Sequence, residues 1–331
     1  MASCIARRKF LAALLGGAAA WPAVVRAQQS TMPVIGFLHP GSPEANAKWV
    51  TGFRKGLAEA GYVEGRNVAI EYRWAHGESG RLPELAADLV SRPVAVIVTP
   101  GSIAAALVAK AATTTIPIVF GIGGDPVQAG LVASLHQPGG NVTGVNTMNV
   151  GLLGKQLGLL HQLLPGAARF AVLVSPSNPQ IQSTIAEAHA AGAAMGRQLE
   201  ILSARTTRDF GPAFSRAVQK RAEALLISAD PLFTNRLVQL ATLATRHAMP
   251  TIYTLREFAE VGGLMSYGSD LSELFRQGGV YTGRILKGEK PGDLSILHAT
   301  KFELVINLPT AEAFGLEIPA TLLALADKVI E

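Results

Sequence analysis

The sequence predicts an α/β protein made of two doubly wound parallel-sheet lobes joined by a three-segment hinge. Two observations carry this. Apolar, β-branched runs of strand length alternate with stretches whose apolar positions recur at helical spacing, the succession that builds a parallel sheet covered by helices. The succession then occurs a second time at an offset of roughly 130 to 137 residues, about the size of one α/β domain.

Residues 34–38 form a short apolar strand ending at His39-Pro40-Gly41-Ser42-Pro43. Trp49, Val50, Phe53 and Leu57 share one face of a helix over residues 45–60, and Gly61 is its stop. A strand over 67–72 precedes a helix over 82–91. A buried β-branched strand over 94–98 then ends at Thr99-Pro100-Gly101-Ser102. A helix over 103–112 and a strand over 116–120 follow. In the second half, the strand 170–174 ends at Ser175-Pro176-Ser177-Asn178-Pro179, the counterpart of the loop at Ser42. Residues 196–202 answer the strand near Tyr72. Residues 224–228, ending at Ala229-Asp230-Pro231, answer the strand before Gly101, and residues 250–253 answer 117–120. Gly263-Leu264-Met265 matches Gly130-Leu131-Val132 after a similar loop. A helix over 271–286 and a strand over 302–306 then require three crossings between lobes, near Met148, Ser266 and Leu297. The expected division assigns residues 32–148 with 267–297 to lobe 1 and residues 149–266 with 298–331 to lobe 2.

Composition bounds the function. With 49% hydrophobic and 16% charged residues, the chain can bury two cores, which excludes disorder. Arg7-Arg8-Lys9-Phe10-Leu11, an apolar stretch to Val25 and then Val25-Arg26-Ala27 make the three parts of a signal peptide, residues 1–27, with cleavage after Ala27. Gly16, Gly17 and Pro22 interrupt that stretch, which falls short of the roughly 20 residues that span a bilayer. The paired arginines resemble a twin-arginine export signal, with a Sec signal as the alternative. Cys4 precedes the apolar stretch and so is not placed to be the lipidated cysteine of a lipoprotein; the expected location is the periplasm. Cleavage removes Arg7, Arg8, Lys9 and Arg26 and no acid, so the net charge falls from +5 to +1. The remaining lysines and arginines are dispersed among acids, which argues against a nucleic-acid face. Cys4 is the only cysteine, leaving the mature chain without disulfide or thiolate chemistry.

In open parallel sheets, ligands sit outside the carboxyl ends of the strands, near helix N-termini. Here those loops face one another across a cleft. Ser42 and Ser102 each stand just before a helix, where hydroxyl and N–H groups either hold an anion such as a carboxylate or simply cap the helix. Asp125 and Asp230 have the analogous choice between an amine and a cap, with Pro126 and Pro231 at a first helical position. Capping is favoured for Asp125. Amine binding is favoured for Asp230, whose loop lies across from the first-lobe serines. Tyr253 and Tyr267 are either an aromatic wall or half-buried core with a wet hydroxyl, and Asn178, at a helix start, is equally two-sided. The sequence has no Gly-x-Ser-x-Gly elbow, His-Glu-x-x-His or P-loop, and Gly121-Ile122-Gly123-Gly124 lacks the third glycine of a dinucleotide loop. The 7 histidines are spread singly; only His39 falls in a cleft loop, where it is read as structural. No cofactor and no metal are expected.

Several segments carry a resemblance. They are Pro33 to Phe37, the loop at Ser42, Gly52-Phe53-Arg54-Lys55-Gly56-Leu57 leading to Gly61-Tyr62-Val63-Glu64-Gly65-Arg66-Asn67-Val68, and Gly124-Asp125-Pro126-Val127. Gln137-Pro138-Gly139-Gly140-Asn141-Val142-Thr143-Gly144 and Gly262-Gly263-Leu264-Met265-Ser266-Tyr267-Gly268 add to them. Together they resemble the ABC transporter substrate-binding proteins of the tryptophan-binding (TrpX-like) group over nearly the whole mature chain. The resemblance implies a type I periplasmic-binding fold that closes on a small-molecule ligand by a hinge. It also implies a monomer that docks transiently on an ABC permease of the inner membrane and is not an enzyme. Some members of the group bind tryptophan or phenylalanine, which suits paired serines, an acidic amine ligand and tyrosine walls. Gly121-Ile122-Gly123-Gly124 leaves little side-chain volume to grip a ring, so an aliphatic acid stays open. A periplasmic sensor subunit reads the same way. A two-domain enzyme would rely on Asp125, Asp230 or His39.

Overall fold

The computed structural model describes residues 32–147, 151–298 and 302–331. The signal peptide, Cys4 and the cleavage after Ala27 lie outside the described residues, as does Met148, where the first crossing is expected.

Pro33 to Glu331 form one compact unit. Its first half runs β1 (Val34–His39), α1 (Pro43–Glu59), β2 (Ala69–Trp74), α2 (Leu82–Val90), β3 (Val96–Pro100), α3 (Ile103–Ala112), β4 (Ile118–Ile122) and β5 (Val142–Asn146). The second half opens with α4 (Leu152–Leu163), β6 (Arg169–Val174), α5 (Ile181–Met195), β7 (Gln198–Ser203), α6 (Phe210–Gln219) and β8 (Ala224–Ile227). It continues through α7 (Pro231–Thr234), α8 (Leu237–Arg246), β9 (Thr251–Tyr253), α9 (Arg256–Glu260) and β10 (Met265–Ser269). The tail is α10 (Leu271–Leu286), β11 (Leu297–His298), β12 (Phe302–Asn307), α11 (Leu308–Ala313), α12 (Ala320–Leu325) and β13 (Lys328–Ile330).

Two sheets result, ordered β11-β5-β4-β3-β1-β2 and β13-β12-β10-β9-β8-β6-β7. Both wind outward from a switch point beside their first strand, with β6 to β10 occupying the places of β1 to β5. All pairings are parallel except β10 with β12. Strand alternation divides the side chains between the two faces of each sheet. In the first sheet, Ile35, Phe37, Val96 and Val98 pack with Trp49, Phe53 and Phe275, whereas Leu38, Ile97 and Phe120 pack with Leu82, Leu89 and Ala105. In the second, Phe170, Val172 and Leu226 pack with Leu157 and Leu160 of α4, while Leu173, Leu225 and Tyr253 face Phe214, Leu240 and Phe258.

The structure changes the sequence reading in two places. The strand equivalent to β10 is β5, not Gly130-Leu131-Val132, which is a turn that buries Leu131 and Val132. A glycine inside a five-residue strand had hidden β5: a Cβ on Gly144 would overlap the Phe120 carbonyl and ring, so this position has no side chain to contribute to a pattern. Second, Tyr267 through Ser269 pair with Leu304, Glu303 and Phe302, and so belong to the second sheet rather than to lobe 1. The chain then passes to α10, which returns to the first sheet and packs on α1. Gly56 and Gly279 make that crossing close. A Cβ on Gly56 would overlap the Arg276 carbonyl, and one on Gly279 the Phe53 carbonyl. The return to the second sheet falls between β11 and β12.

Candidate functional site

The carboxyl ends of the parallel strands of both sheets converge on a cavity of about 230 Å³. This lies below the roughly 300–1,000 Å³ of drug-sized pockets, which suits one small solute. His39, Gly101 and the stretch Ile122 to Asp125 line it from the first sheet; Asn178, Ala229, Asp230 and Thr254 line it from the second. Ser269, Leu271 and Leu274 close its floor at the second crossing.

Of the ligand-binding candidates named from the sequence, the structure brings Asp125, Asn178 and Asp230 to this cavity. Asp125 Oδ1 accepts the N–H groups of Val127 (2.8 Å) and Gln128 (3.1 Å), the geometry of a cap. Asn178 ties two loops together: its Oδ1 accepts the Gln180 N–H at 2.9 Å and its Nδ2 donates to the Ala229 carbonyl at 3.3 Å. Asp230 precedes Pro231 and caps α7, with Oδ1 accepting the Leu232 N–H at 2.9 Å. Burial raises its carboxyl from 3.8 to about 6, and the Leu232 N–H with the Asn178 and Ser175 side chains only partly offsets this. A desolvated carboxylate without a cation at hand is a group prepared for a positively charged ligand atom.

The other candidates lie outside the cavity lining. Ser42 caps α1, accepting the Ala45 N–H at 3.4 Å, and Ser102 caps α3, accepting the Ala105 N–H at 3.2 Å. Tyr253 is wholly buried on the α8 and α9 face of its sheet, where its hydroxyl meets Thr234 Oγ1 at 2.8 Å. Burial holds that phenol far above its ordinary range. Tyr267 stacks on Phe302 with ring centroids 5.9 Å apart, and its carbonyl accepts the Gln156 Nε2–H at 2.8 Å.

The structure also brings His39, read from the sequence as a structural histidine of a cleft loop, to the cavity lining, and adds Asn46 and Asn235, which the sequence did not single out. His39 is 4% exposed, and its ring is wedged between Trp74 and Phe275. Burial lowers its pKa to about 3, so the imidazole is neutral at physiological pH. Nδ1 accepts the Gly41 N–H at 2.9 Å, which places the ring proton on Nε2. At the cavity rim, Asn46 Nδ2 donates to the Ser42 carbonyl (2.8 Å) and, across the cleft, to Asn235 Oδ1 (3.0 Å). Lys48 pairs with Glu257 at 2.8 Å beside it, so the lobes meet along this edge. His39 stood at a strand end and was legible by place. Asn46 and Asn235 are single polar residues whose partners lie 189 positions away, and nothing local marks them.

Among the described residues, no group of three or more His, Cys, Asp or Glu could hold a metal ion, and no helix is long and apolar enough to cross a membrane. A family model described as ABC transporter substrate binding protein matches residues 34–330. The chain belongs to this family. Substrate-binding proteins of this kind bind small molecules, dock with ABC permeases and are usually extracellular or periplasmic. A relative named tyrosine-binding protein, from Clostridioides difficile (strain R20291), is 27% identical over 282 residues, covering 84% of this chain and 79% of that protein. A solved conserved domain protein from Vibrio cholerae is 27% identical with a TM-score of 0.83, covering 90% of this chain and 99% of the other. The ABC domain in complex with L-Trp from Streptococcus pneumonia is 26% identical with a TM-score of 0.81 over the same shares. These neighbours share the type I periplasmic-binding fold, and the protein is the solute-binding component of an ABC importer.

Proposed function

We propose that this substrate-binding protein captures an amino acid, holding its ammonium group at Asp230. The observation that carries the reading is a half-buried, desolvated carboxylate in a cavity whose described lining contains no lysine or arginine. A ligand cation removes the desolvation cost that Asp230 bears alone. Asn178 fixes the Asp230 loop through the Ala229 carbonyl, and Asp125 shapes the opposite rim. The printed names of the relatives, a tyrosine-binding protein and a complex with L-Trp, agree with an amino-acid ligand. The amino-terminal pattern supports export to the periplasm with cleavage after Ala27. There the protein acts as a monomer, closes by its hinge and docks transiently on an inner-membrane permease, capturing its solute without turning it over.

Calorimetric titration of the mature protein, stripped of carried-over ligand by unfolding and refolding, tests this against a panel of amino acids and simple carboxylates. Saturable one-to-one binding of an amino acid, lost for its deaminated analogue, is expected. Equal binding of the deaminated analogue sinks the assignment of Asp230.

A further inference from the structure

The amine side leaves open how the other end of the ligand is read. Across the cavity from Asp230 stands the N-terminus of α3, a helix of 10 residues. Ser102 Oγ takes the Ala105 N–H, so the N–H groups of Ile103 and Ala104 have no intrahelical acceptor, and Ile103 lines the cavity. A helix N-terminus alone is only a weak attraction for anions. Here a second donor is built beside it. His39 is almost wholly buried and lines the same cavity; its Nε2 lies 3.6 Å from the position of a Cβ on Gly101, the residue just before the Ser102 cap. The Gly41 N–H occupies Nδ1, and among the described residues no acceptor meets Nε2–H.

We infer that His39 Nε2–H, together with the first N–H groups of α3, receives the carboxylate of the ligand, making His39 a specificity-determining residue. The inference rests on the amino-acid reading above. Its further content is a ligand class. Both donors are uncharged, so they satisfy a monoanionic carboxylate, and the charged side chains of the described lining are all carboxylates: Asp125, Glu187 and Asp230. A second anionic group on the ligand would face those acids with no cation to pair with. The site therefore takes monocarboxylate amino acids and rejects acidic amino acids and phosphorylated ones. The burial that keeps His39 uncharged agrees with this, because a charged imidazolium would hold anions less selectively.

The test is titration of the ligand-stripped protein with L-tyrosine and L-tryptophan, their amides, L-glutamate and O-phospho-L-tyrosine. The wild type should bind at least one of the two free acids at least tenfold tighter than its amide and bind neither dianionic probe. His39→Phe, which keeps an aromatic ring of similar size, should lose most of that preference, the free acid weakening by a larger factor than the amide. His39→Gln, whose terminal amide N–H reaches toward the place of Nε2, should recover part of it. An unchanged preference in His39→Phe, or an equal loss for acid and amide, overturns the assignment of His39. If the wild type binds neither acid nor amide, the amino-acid reading itself falls and this assignment falls with it. The wild-type protein gives a second readout in case His39→Phe does not fold. In ¹⁵N-histidine-labelled protein, the His39 Nε2–H resonance should shift when the acid binds and shift less with the amide; a resonance that stays in place with the bound acid overturns the inference.

Discussion

Replacing Asp230 by Asn should make the empty protein more stable and the binding protein worse. Desolvation of the half-buried Asp230 raises its carboxyl from 3.8 to about 6. At about 1.4 kcal/mol per pH unit, this corresponds to a cost of about 3 kcal/mol for holding the ionised form in the folded, empty protein. The folded chain binds the Asp230 proton more tightly than the unfolded chain does. The contribution of this group to stability is therefore fully present below about pH 4 and is lost as the pH rises through about 6. Asn keeps the Oδ1 that accepts the Leu232 N–H but carries no charge. Urea unfolding of the ligand-stripped wild type and Asp230→Asn should give similar stabilities near pH 4 and a variant more stable by about 1 to 3 kcal/mol near pH 7.5. Calorimetry at the higher pH should show ligand affinity falling by about 10- to 100-fold, the loss expected when a hydrogen bond to a charged group disappears. A variant less stable near pH 7.5, or a stability difference independent of pH, would refute the reasoning. The carboxylate would then be well solvated, and its place in the site would need another explanation.

Other outcomes follow from the same geometry. Asn235→Ala removes the acceptor of Asn46 across the cleft, so affinity should drop by about 3- to 10-fold, mostly through faster release in stopped-flow displacement. Tyr253 itself lies outside the cavity lining, and Tyr253→Phe deletes a hydroxyl bonded to Thr234, which lines it. Stability should fall by about 1 kcal/mol in urea unfolding, with calorimetric affinity changed by no more than about threefold, since the hydroxyl supports Thr234 and the Asp230 carbonyl from behind. Gly56→Ala drives a methyl group into the Arg276 carbonyl and should cost about 1 to 3 kcal/mol in the same assay. Gly158→Ala, inside α4 with open space around it, should gain up to about 1 kcal/mol.

Much of the fold was legible because the parallel strands carry their own signature. Val96-Ile97-Val98 and Leu225-Leu226-Ile227 are buried on both faces, and no other arrangement makes use of such runs beside helical periods. The helices Ile103–Ala112 and Leu271–Leu286 fall where their caps and apolar spacing put them. The site was only partly legible. Asp230-Pro231 announces a capped helix start at a strand end, which is also where ligands bind. Tyr253 shows the limit: a residue at a strand end faces one side of the sheet or the other by a shift of one position, and a three-residue strand offers too little pattern to fix it. The pairing of Asn46 with Asn235 depends on how two lobes meet, which no local pattern encodes.

The close crossing of α1 and α10 joins segments made far apart in time. Glu59 and Arg276, which pair there, are 217 positions apart. As the chain emerges from the ribosome, Trp49, Phe53 and Leu57 can pack on β1 and β3 but lack Phe275 and the rest of α10 until that helix is synthesised, by which time β6 through β10 are already complete. The lobe that begins first is thus completed only after most of the second has been made. Nascent chains stopped short of Leu286 should expose a greasy helix face and depend on chaperones, and refolding should be limited by closing this long loop.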